Sequence, residues 1–562
     1  MDKYIMFGAG KNAEELLNKS KGIFEFSCII DNDEKKWGQI INNIKIYSPH
    51  YLESMQYSGE NIIISVSNKK FTADIFNQLQ SMGFIYNENF FFAHELLPMG
   101  SAVPGHVSGY VDLPQLANPI KSFDPSSRLI RIENKDFILR CVSDESVDRY
   151  KKIYERCRDA KLFDKYIVNT ACSGNTYGLP YNLVLEHDFV TPISYCFEWS
   201  PKMFLDYTLF MTDMLYELSK ADLGLCDGHA LNATVSKGNF IFLDFGALKL
   251  GVTNRNTLIE FINTHLIPLV LFSKKEMEKA YLLLKNMGLQ FTLADIQGFL
   301  SSEEINEIRG LYNQAIRTIT QNDISEFIKK IKNCIKHFSS VKKKTRWDGY
   351  QNDEWEWSTD QNKWSTKMKN AIAMIEKTQP ETITDLAGNM GWYGSYLHEK
   401  SKYSVIIDMD YNCVDYLWDK IRNLKIKNVI PITMSLCAPT LDYYRDEMIG
   451  ETGIIPWREK ATSRFKSEMV LAFAVVHHLA FAQQLTFDEI ISQILLFTSK
   501  YLIIEFVEQT DKYITDFLKT GFEWYTKENF ERALKKDFEI IDIEKSTPEE
   551  TRTLYLCRKK RS

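Results

Sequence analysis

The sequence predicts an α/β multidomain protein, with a doubly wound parallel sheet at each end and an α+β unit with a helical C-terminal part between them. Three observations predict this. Short apolar runs alternate with amphipathic helical patterns up to about residue 100, and again from Glu381 onward. Each of those regions has a glycine turn after its first run and an aspartate closing its second. From about Ser127 the texture changes to hairpin-like strands followed by long helical runs. A chain of 562 residues is too long for one core. Units at 1–100, 120–345 and 365–562 are therefore expected.

The first unit reads YIMFGAG, NAEELLNKS, FSCIID, NIIISVSN and FTADIFNQLQSMGF, strands of a length that suits a parallel sheet. Gly8 and Gly10 follow its first strand and open a helix, and Asp31 ends the next strand. That is the short form of a dinucleotide fingerprint. The unit resembles the small Rossmann-like domains attached to enzymes of bacterial surface-sugar biosynthesis. It reads equally as a nucleotide site built on Gly8, Gly10 and Asp31 or as a structural module. No hydride-transfer residues lie nearby, so a dehydrogenase is not expected. PMGSAVPGHVSGYVDLPQ supplies the Pro and Gly of a linker.

The middle unit opens with RLIRIENKDFILRCV, a hairpin pattern, then the helical VDRYKKIYERCRDAKLF, the strand-like YNLVLEHDFV and the helical PKMFLDYTLFMTDMLYELSKA. DGHALNATVSKGNFIFLDFG follows, placing Asn232 five residues after Asp227 and Asp244 twelve after Asn232. This spacing is similar to the catalytic loop and metal-binding aspartate of protein kinases and small-molecule kinases. The resemblance implies Asp227 as the base and Asn232 with Asp244 as holders of Mg2+ on the phosphates of ATP. The upstream segment lacks G-x-G-x-x-G, and Arg140 in FILRCV stands where such folds carry lysine on the phosphates, with Glu155 as its expected partner. A live phosphotransferase and a silent scaffold both fit. Residues 255–340 are helical in period, and KKKTRWDGYQNDEWEWSTDQNKW, with Trp347, Trp355, Trp357 and Trp364, reads as a connection that docks on a neighbour.

The last unit is the most informative. ETITDLAGNMGWYGSYL puts Asp385 at a strand end, with Gly388, Gly391 and Gly394 in a turn leading into a helix, where backbone can approach a ligand. YSVIIDMDYN ends a second strand at Asp408, suited to the hydroxyls of a ribose. KNVIPITMSL is the third strand, EMVLAFAVVHHLA, bearing His477 and His478, the fourth, and KYLIIEFVEQTD the fifth. These features resemble class I S-adenosylmethionine-dependent methyltransferases, and more closely a bacterial family related to nodulation-associated methyltransferases. LAGNMGWYG, WREKATSR, VVHHLA, IIEFVEQTD and TRTLYL carry that resemblance, together with SYCFEWSPKM, DGHALN and FLDFGALK upstream. It implies S-adenosylmethionine held by Asp385, the three glycines and Asp408. Ala387 and Asn389 replace the residues more usual in the turn. A hydroxyl acceptor would need a base, for which His477 and His478 are the candidates.

Composition limits the partners. A net charge of −6 excludes a generally basic nucleic-acid surface. Ten cysteines without a C-x-x-C pair suit a reducing compartment, and no signal or transmembrane segment is apparent, so a cytoplasmic protein is expected. The expected activity is methylation of a glycan or other small acceptor alongside surface-glycan biosynthesis enzymes. In one scheme the kinase-like unit makes a phosphate ester that the methyltransferase then caps. The rivals are a methyltransferase with a silent kinase-like scaffold and a non-catalytic assembly protein of a glycan pathway.

Overall fold

A computed structural model describes residues 3–19, 25–54, 57–66, 69–85, 89–93, 117–120, 126–132, 135–285, 291–318, 320–339, 360–442, 459–512, 514, 521–547 and 551–561. The expected linker, residues 98–115, and three of the four linker tryptophans, Trp347, Trp355 and Trp357, lie outside them. Among the described residues no helix is long and apolar enough to cross a membrane. All ten cysteines are free.

The first sheet contains β1 (Lys3–Phe7), β2 (Glu25–Ile30), β3 (Ile40–Ile41), β4 (Ile44–Tyr47), β5 (Asn61–Ile64) and β6 (Phe90–Phe92), in the order β3-β4-β2-β1-β5-β6. All pairings are parallel except the β3–β4 hairpin. Helices α1 (Lys11–Lys19) and α2 (Lys69–Ser81) make the crossovers, and apolar clusters fill both faces of the sheet. Burial on both faces is why β1 and β5 are runs of apolar residues rather than alternations.

The middle unit begins with an antiparallel sheet of β7 (Ala117–Ile120), β8 (Ser127–Ile132), β9 (Phe137–Val142), β10 (Thr170–Ala171) and β11 (Leu183–Asp188), ordered β10-β11-β9-β8-β7. Helix α3 (Val147–Asp159) connects β9 to β10. After β11 come α4 (Pro201–Lys220), β12 (Leu223–Leu225), the hairpin β13 (Ala233–Ser236) with β14 (Asn239–Phe242), and β15 (Leu248–Leu250), which pairs back on β12. Ser200 caps α4, accepting from Met203 N, and Pro201 occupies its first turn. The helices that follow close one large core around α4.

The last sheet holds β16 (Thr382–Leu386), β17 (Tyr403–Asp408), β18 (Val429–Thr433), β19 (Ser467–Ala472), β20 (Thr498–Val507), β21 (Phe538–Lys545) and β22 (Arg552–Lys559). Their order is β18-β17-β16-β19-β20-β22-β21, with β22 antiparallel to both of its neighbours. In the unit's own numbering this is 3-2-1-4-5-7-6. Helix α5 (Thr366–Thr378) enters the unit, with Trp364 before it packed edge-on against Trp392 and Tyr396 at 5.5 and 5.0 Å between ring centroids. Helix α6 (Trp392–Tyr396) follows the glycine turn, and α7 (Tyr411–Leu424) follows β17.

The last unit is seated on the middle one. Val414 and Trp418 of α7 belong to the middle unit's core, and Trp418 Nε1 donates to Asp206 Oδ2 at 2.9 Å. Asp415 accepts from Lys202 N at 3.0 Å, capping α4 from across the interface. Glu198 and Arg464 form a bidentate ion pair, 3.0 and 2.5 Å, with side chains 1% and 3% exposed. SYCFEWSPKM and WREKATSR, 266 residues apart at these two charges, are thus two halves of one contact.

Candidate functional site

The glycine turn lies at the carboxyl end of β16, where open α/β sheets place their ligands. Ala387, Asn389 and Gly391 all take positive φ, at 55°, 50° and 77°. Two non-glycine residues therefore sit in the left-handed region that glycine would enter freely. The glycines have a packing duty: a Cβ at 388, 391 or 394 would come within 2.7, 2.8 or 2.9 Å of Ile406 on β17. They let the turn and α6 lie against the strand, a role distinct from the expected approach to a ligand.

Asp385 is 1% exposed, and its Oδ2 is buried without a hydrogen-bond partner. Burial pushes its carboxyl up to about 7, against the pull of Lys367 and with a further push from Asp408. Asp408 is differently engaged. Its Oδ2 accepts from Asn389 N and its Oδ1 from Asp410 N, both at 2.8 Å. It stitches the turn to the strand end, and burial, opposed by those bonds, raises it to about 6. Any ribose would share the carboxylate with these amides.

His477 and His478 do not ride on the fourth strand. That strand stops at Ala472, Ala474 takes a φ of 50°, and both histidines fall in the first turn of α8 (Val476–Gln483). His477 is 4% exposed with an unpartnered Nδ1, and burial, then His478 and Arg552, push it down to about 3. A histidine so desolvated is a weak base. Their rings lie 4.1 Å apart, and His478 is the more exposed.

Sequence reasoning passed over several neighbours. Lys367 of α5 reaches the fully buried Glu505 of β20 at 2.7 Å, and Ser546 donates to the same carboxylate. Burial alone would raise Glu505, but Lys367 and Ser546 pull it below its ordinary value. Tyr393 of α6 stacks near Phe473 at 4.5 Å, with its hydroxyl buried and unpartnered. Asp511 and Arg552 form a bidentate pair at 2.8 and 3.0 Å, explaining why IIEFVEQTD and TRTLYL occur together. Tyr393 lay inside the quoted turn; Lys367 gave no signal, because its helix precedes every motif quoted for the last unit.

In the middle unit Arg140, 1% exposed, donates to Ser127 Oγ at 2.8 Å, His187 Nε2 at 3.1 Å and Asp244 Oδ1 at 3.1 Å. Glu155 is not among these partners, because α3 turns Tyr150, Ile153 and Cys157 inward and leaves Glu155 exposed. Thr170 Oγ1 donates to Val168 O and so accepts from His187 Nδ1, which leaves Nε2 free to accept from Arg140. Burial and the Arg140 charge hold His187 well below its usual range. Asn232 has a buried, unpartnered amide nitrogen, and exchange of amide N and O would present an oxygen there. His229, two residues past Asp227, stands 3.5 Å from its carboxylate. Among the described residues no three His, Cys, Asp or Glu side chains gather as a metal site.

In the first unit Gly8 takes a φ of 117°, and a Cβ there would come within 2.5 Å of Val66; Gly10 meets nothing within 4 Å. Asp31 repeats the stitch made by Asp408: Oδ2 accepts from Ala9 N at 2.6 Å and Oδ1 from Asp33 N at 2.8 Å. Lys36 adds an ion pair at 3.1 Å.

Residues 1–89 match a family described as C2185-like, N-terminal. The chain is 28% identical over 220 residues to nodulation protein NoeA of Rhizobium meliloti (strain 1021), covering 38% of this chain and 43% of that protein. It thus spans less than half the length of the curated relative that it matches. Solved structures with similar folds include the N-methyltransferase NodS from Bradyrhizobium japonicum WM9 with S-adenosyl-L-homocysteine, at 7% identity, 38% of this chain, 96% of that one and a TM-score of 0.27. Another is the magnesium protoporphyrin IX methyltransferase ChlM from Synechocystis PCC 6803 with SAM, at 10%, 38%, 92% and 0.27. The last unit's 3-2-1-4-5-7-6 sheet is the strand order of the class I methyltransferase fold, and part of the chain is similar in sequence to a nodulation protein.

Proposed function

We propose that the chain methylates a glycan or other small acceptor from S-adenosylmethionine, at the carboxyl ends of β16, β17 and β19. The observation that carries this reading is Asp385: a fully buried carboxyl with an unpartnered oxygen, beside a turn that its glycines let pack closely on β17, is suited to a cationic partner. The amino group of the cofactor's methionyl part is such a cation, so the residues fit. Bound there, the cofactor supplies a methyl group on a sulfonium that needs chiefly positioning. Asp385 would hold the amino end and Asp408 the ribose edge.

Calorimetry with S-adenosylhomocysteine at pH 6 and pH 8 tests this. Folding raises the Asp385 carboxyl to about 7, so the free protein binds that proton more tightly than the unfolded chain does. It therefore loses stability as pH rises from about 4 to about 7. A bound ammonium reverses the balance by favouring the ionised form, so affinity should rise about tenfold between pH 6 and pH 8. Asp385→Asn should bind weakly at both. Absence of binding, or binding indifferent to Asp385, would overturn the assignment.

A second reading concerns the middle unit, as a kinase-like site for magnesium nucleotide. The strand order 1-2-3-5-4 of its sheet, the position of Arg140 on the third strand and its bond to Asp244 favour it.

A further inference from the structure

Two routes of direct contact run from the middle unit to Asp408 at the candidate cofactor site, and both start on the β13–β14 hairpin. Its open end carries Asn232 and Asp244, and Leu243 N donates to Asn232 O at 2.7 Å to close it. Its turn is Lys237-Gly238, both at positive φ, 51° and 73°, a pair that suits the twist of a two-residue hairpin turn. A Cβ at Gly238 would come within 2.2 Å of Ile426 O, so the turn bears on the backbone of the last unit just past α7. Phe240 of β14 packs on Trp418 of α7, with ring centroids 5.2 Å apart. Helix α7 has 14 residues, a length of about 21 Å. It ends at this turn and begins beside Asp408, whose Oδ1 accepts from Asp410 N.

The second route leaves from β13. Thr234 Oγ1 accepts from Ser194 N at 2.8 Å and donates to Ser194 O at 3.1 Å. Ser194 Oγ accepts from Trp199 Nε1 at 2.9 Å, which fixes the segment that carries Glu198. Thr440 Oγ1 donates to Glu198 Oε1 at 2.6 Å and approaches Met434, whose N–H bonds to Asp408 O. One route thus reaches the Asp408 side chain and the other its carbonyl. We propose that the hairpin couples the two sites: the seating of its turn on the last unit sets the position of Asp408, so cofactor occupancy and the arrangement of Asn232 and Asp244 bias one another. This rests on the methyl-transfer reading given above, which puts the ribose at Asp408. The links have no slack, because Ser194, Thr234 and Trp418 are fully buried and Phe240 is 1% exposed, and a close-packed interior passes a displacement on. The coupling is reciprocal, so whatever factor the seated hairpin adds to cofactor affinity, the cofactor adds to the seating.

The test uses the full chain and S-adenosylhomocysteine. Gly238→Ala is compared with Gly251→Ala, a middle-unit glycine whose φ is 79° and whose added Cβ would meet nothing within 4 Å. Both variants carry similar backbone strain, but only the first displaces the last unit. Calorimetry should find S-adenosylhomocysteine bound about fivefold or more weakly by Gly238→Ala, with Gly251→Ala matching the parent. In the parent, saturating S-adenosylhomocysteine should slow amide hydrogen exchange in β13, β14 and residues 194–198 by about fivefold or more, and less in the helix Ser302–Arg317 of the same unit. Equal affinities of the two glycine variants overturn the proposal. Should Gly238→Ala fail to fold, the exchange measurement decides: a hairpin left unprotected, or protected no more than Ser302–Arg317, overturns it equally. Failure of the parent to bind S-adenosylhomocysteine refutes the cofactor reading and the link with it, whereas the other failures refute the link alone.

Discussion

The Glu198–Arg464 pair makes the sharpest stability prediction. The Glu198 carboxylate accepts from Arg464 Nη1 and Nη2, Thr440 Oγ1 and Tyr195 N, all within 3.0 Å. Arg464 in turn donates to Ile193 O at 2.6 Å and Glu459 O at 2.8 Å, and lies 4.1 Å from the Tyr195 ring. Glu198→Gln keeps the shape but removes the charge and turns an NH2 toward donors. Arg464 is then left buried with no counter-charge, a loss of about 3 to 5 kcal/mol. For a unit of about 200 residues each kcal/mol moves the melting point by roughly 2 to 4 °C, so the shift should be about 6 to 20 °C. Because Trp418 and Val414 sit in the neighbouring core, both units should lose stability in one scanning-calorimetry transition. Replacing both charges, Glu198→Met with Arg464→Met, should be milder than Glu198→Gln alone, since no orphan charge remains. A Glu198→Gln protein melting within about 1 °C of the parent, or a double variant as weak as the sum of the singles, would refute the reasoning.

Two further outcomes are expected. Ala387→Gly should raise stability by about 1 kcal/mol in chemical denaturation, because glycine adopts a φ of 55° without the Cβ clash; a loss of stability would show that the Ala387 methyl packs usefully. In the middle unit Asp244→Ala should both abolish magnesium-dependent ATP binding and lower the melting point, since it strips Arg140 of its carboxylate, whereas Asp227→Ala, with a 45% exposed side chain, should bind ATP, stop transfer and melt normally. Tight MgATP binding by Asp244→Ala would end the kinase-like assignment.

The alternation of runs in the last unit made its sheet legible, and Asp385, the glycines and Asp408 fall at the strand ends where periodicity put them. What Asp408 does there was not legible. A carboxylate at that position can face a ribose or the backbone, and only folding shows that Asn389 N and Asp410 N compete for it. The same pair of backbone bonds recurs at Asp31. VVHHLA was ambiguous for another reason. A continuous apolar run has no period to separate a buried strand from a buried helix, and the break at Ala474 leaves no mark in composition.

The recurrence of SYCFEWSPKM and WREKATSR beside the methyltransferase motifs could be seen without a structure, but not its cause. Glu198 and Arg464 are each intolerable in a core alone and stable together. That mutual need ties the middle unit to the segment between β18 and β19, because Thr440, on the Glu198 carboxylate, also approaches Met434, whose N–H bonds to Asp408 O at 2.9 Å. Asp408 is therefore held by its side chain from the glycine turn and by its carbonyl from a segment anchored on the neighbouring unit. Whatever chemistry the middle unit performs, it is part of the wall that positions the candidate cofactor site.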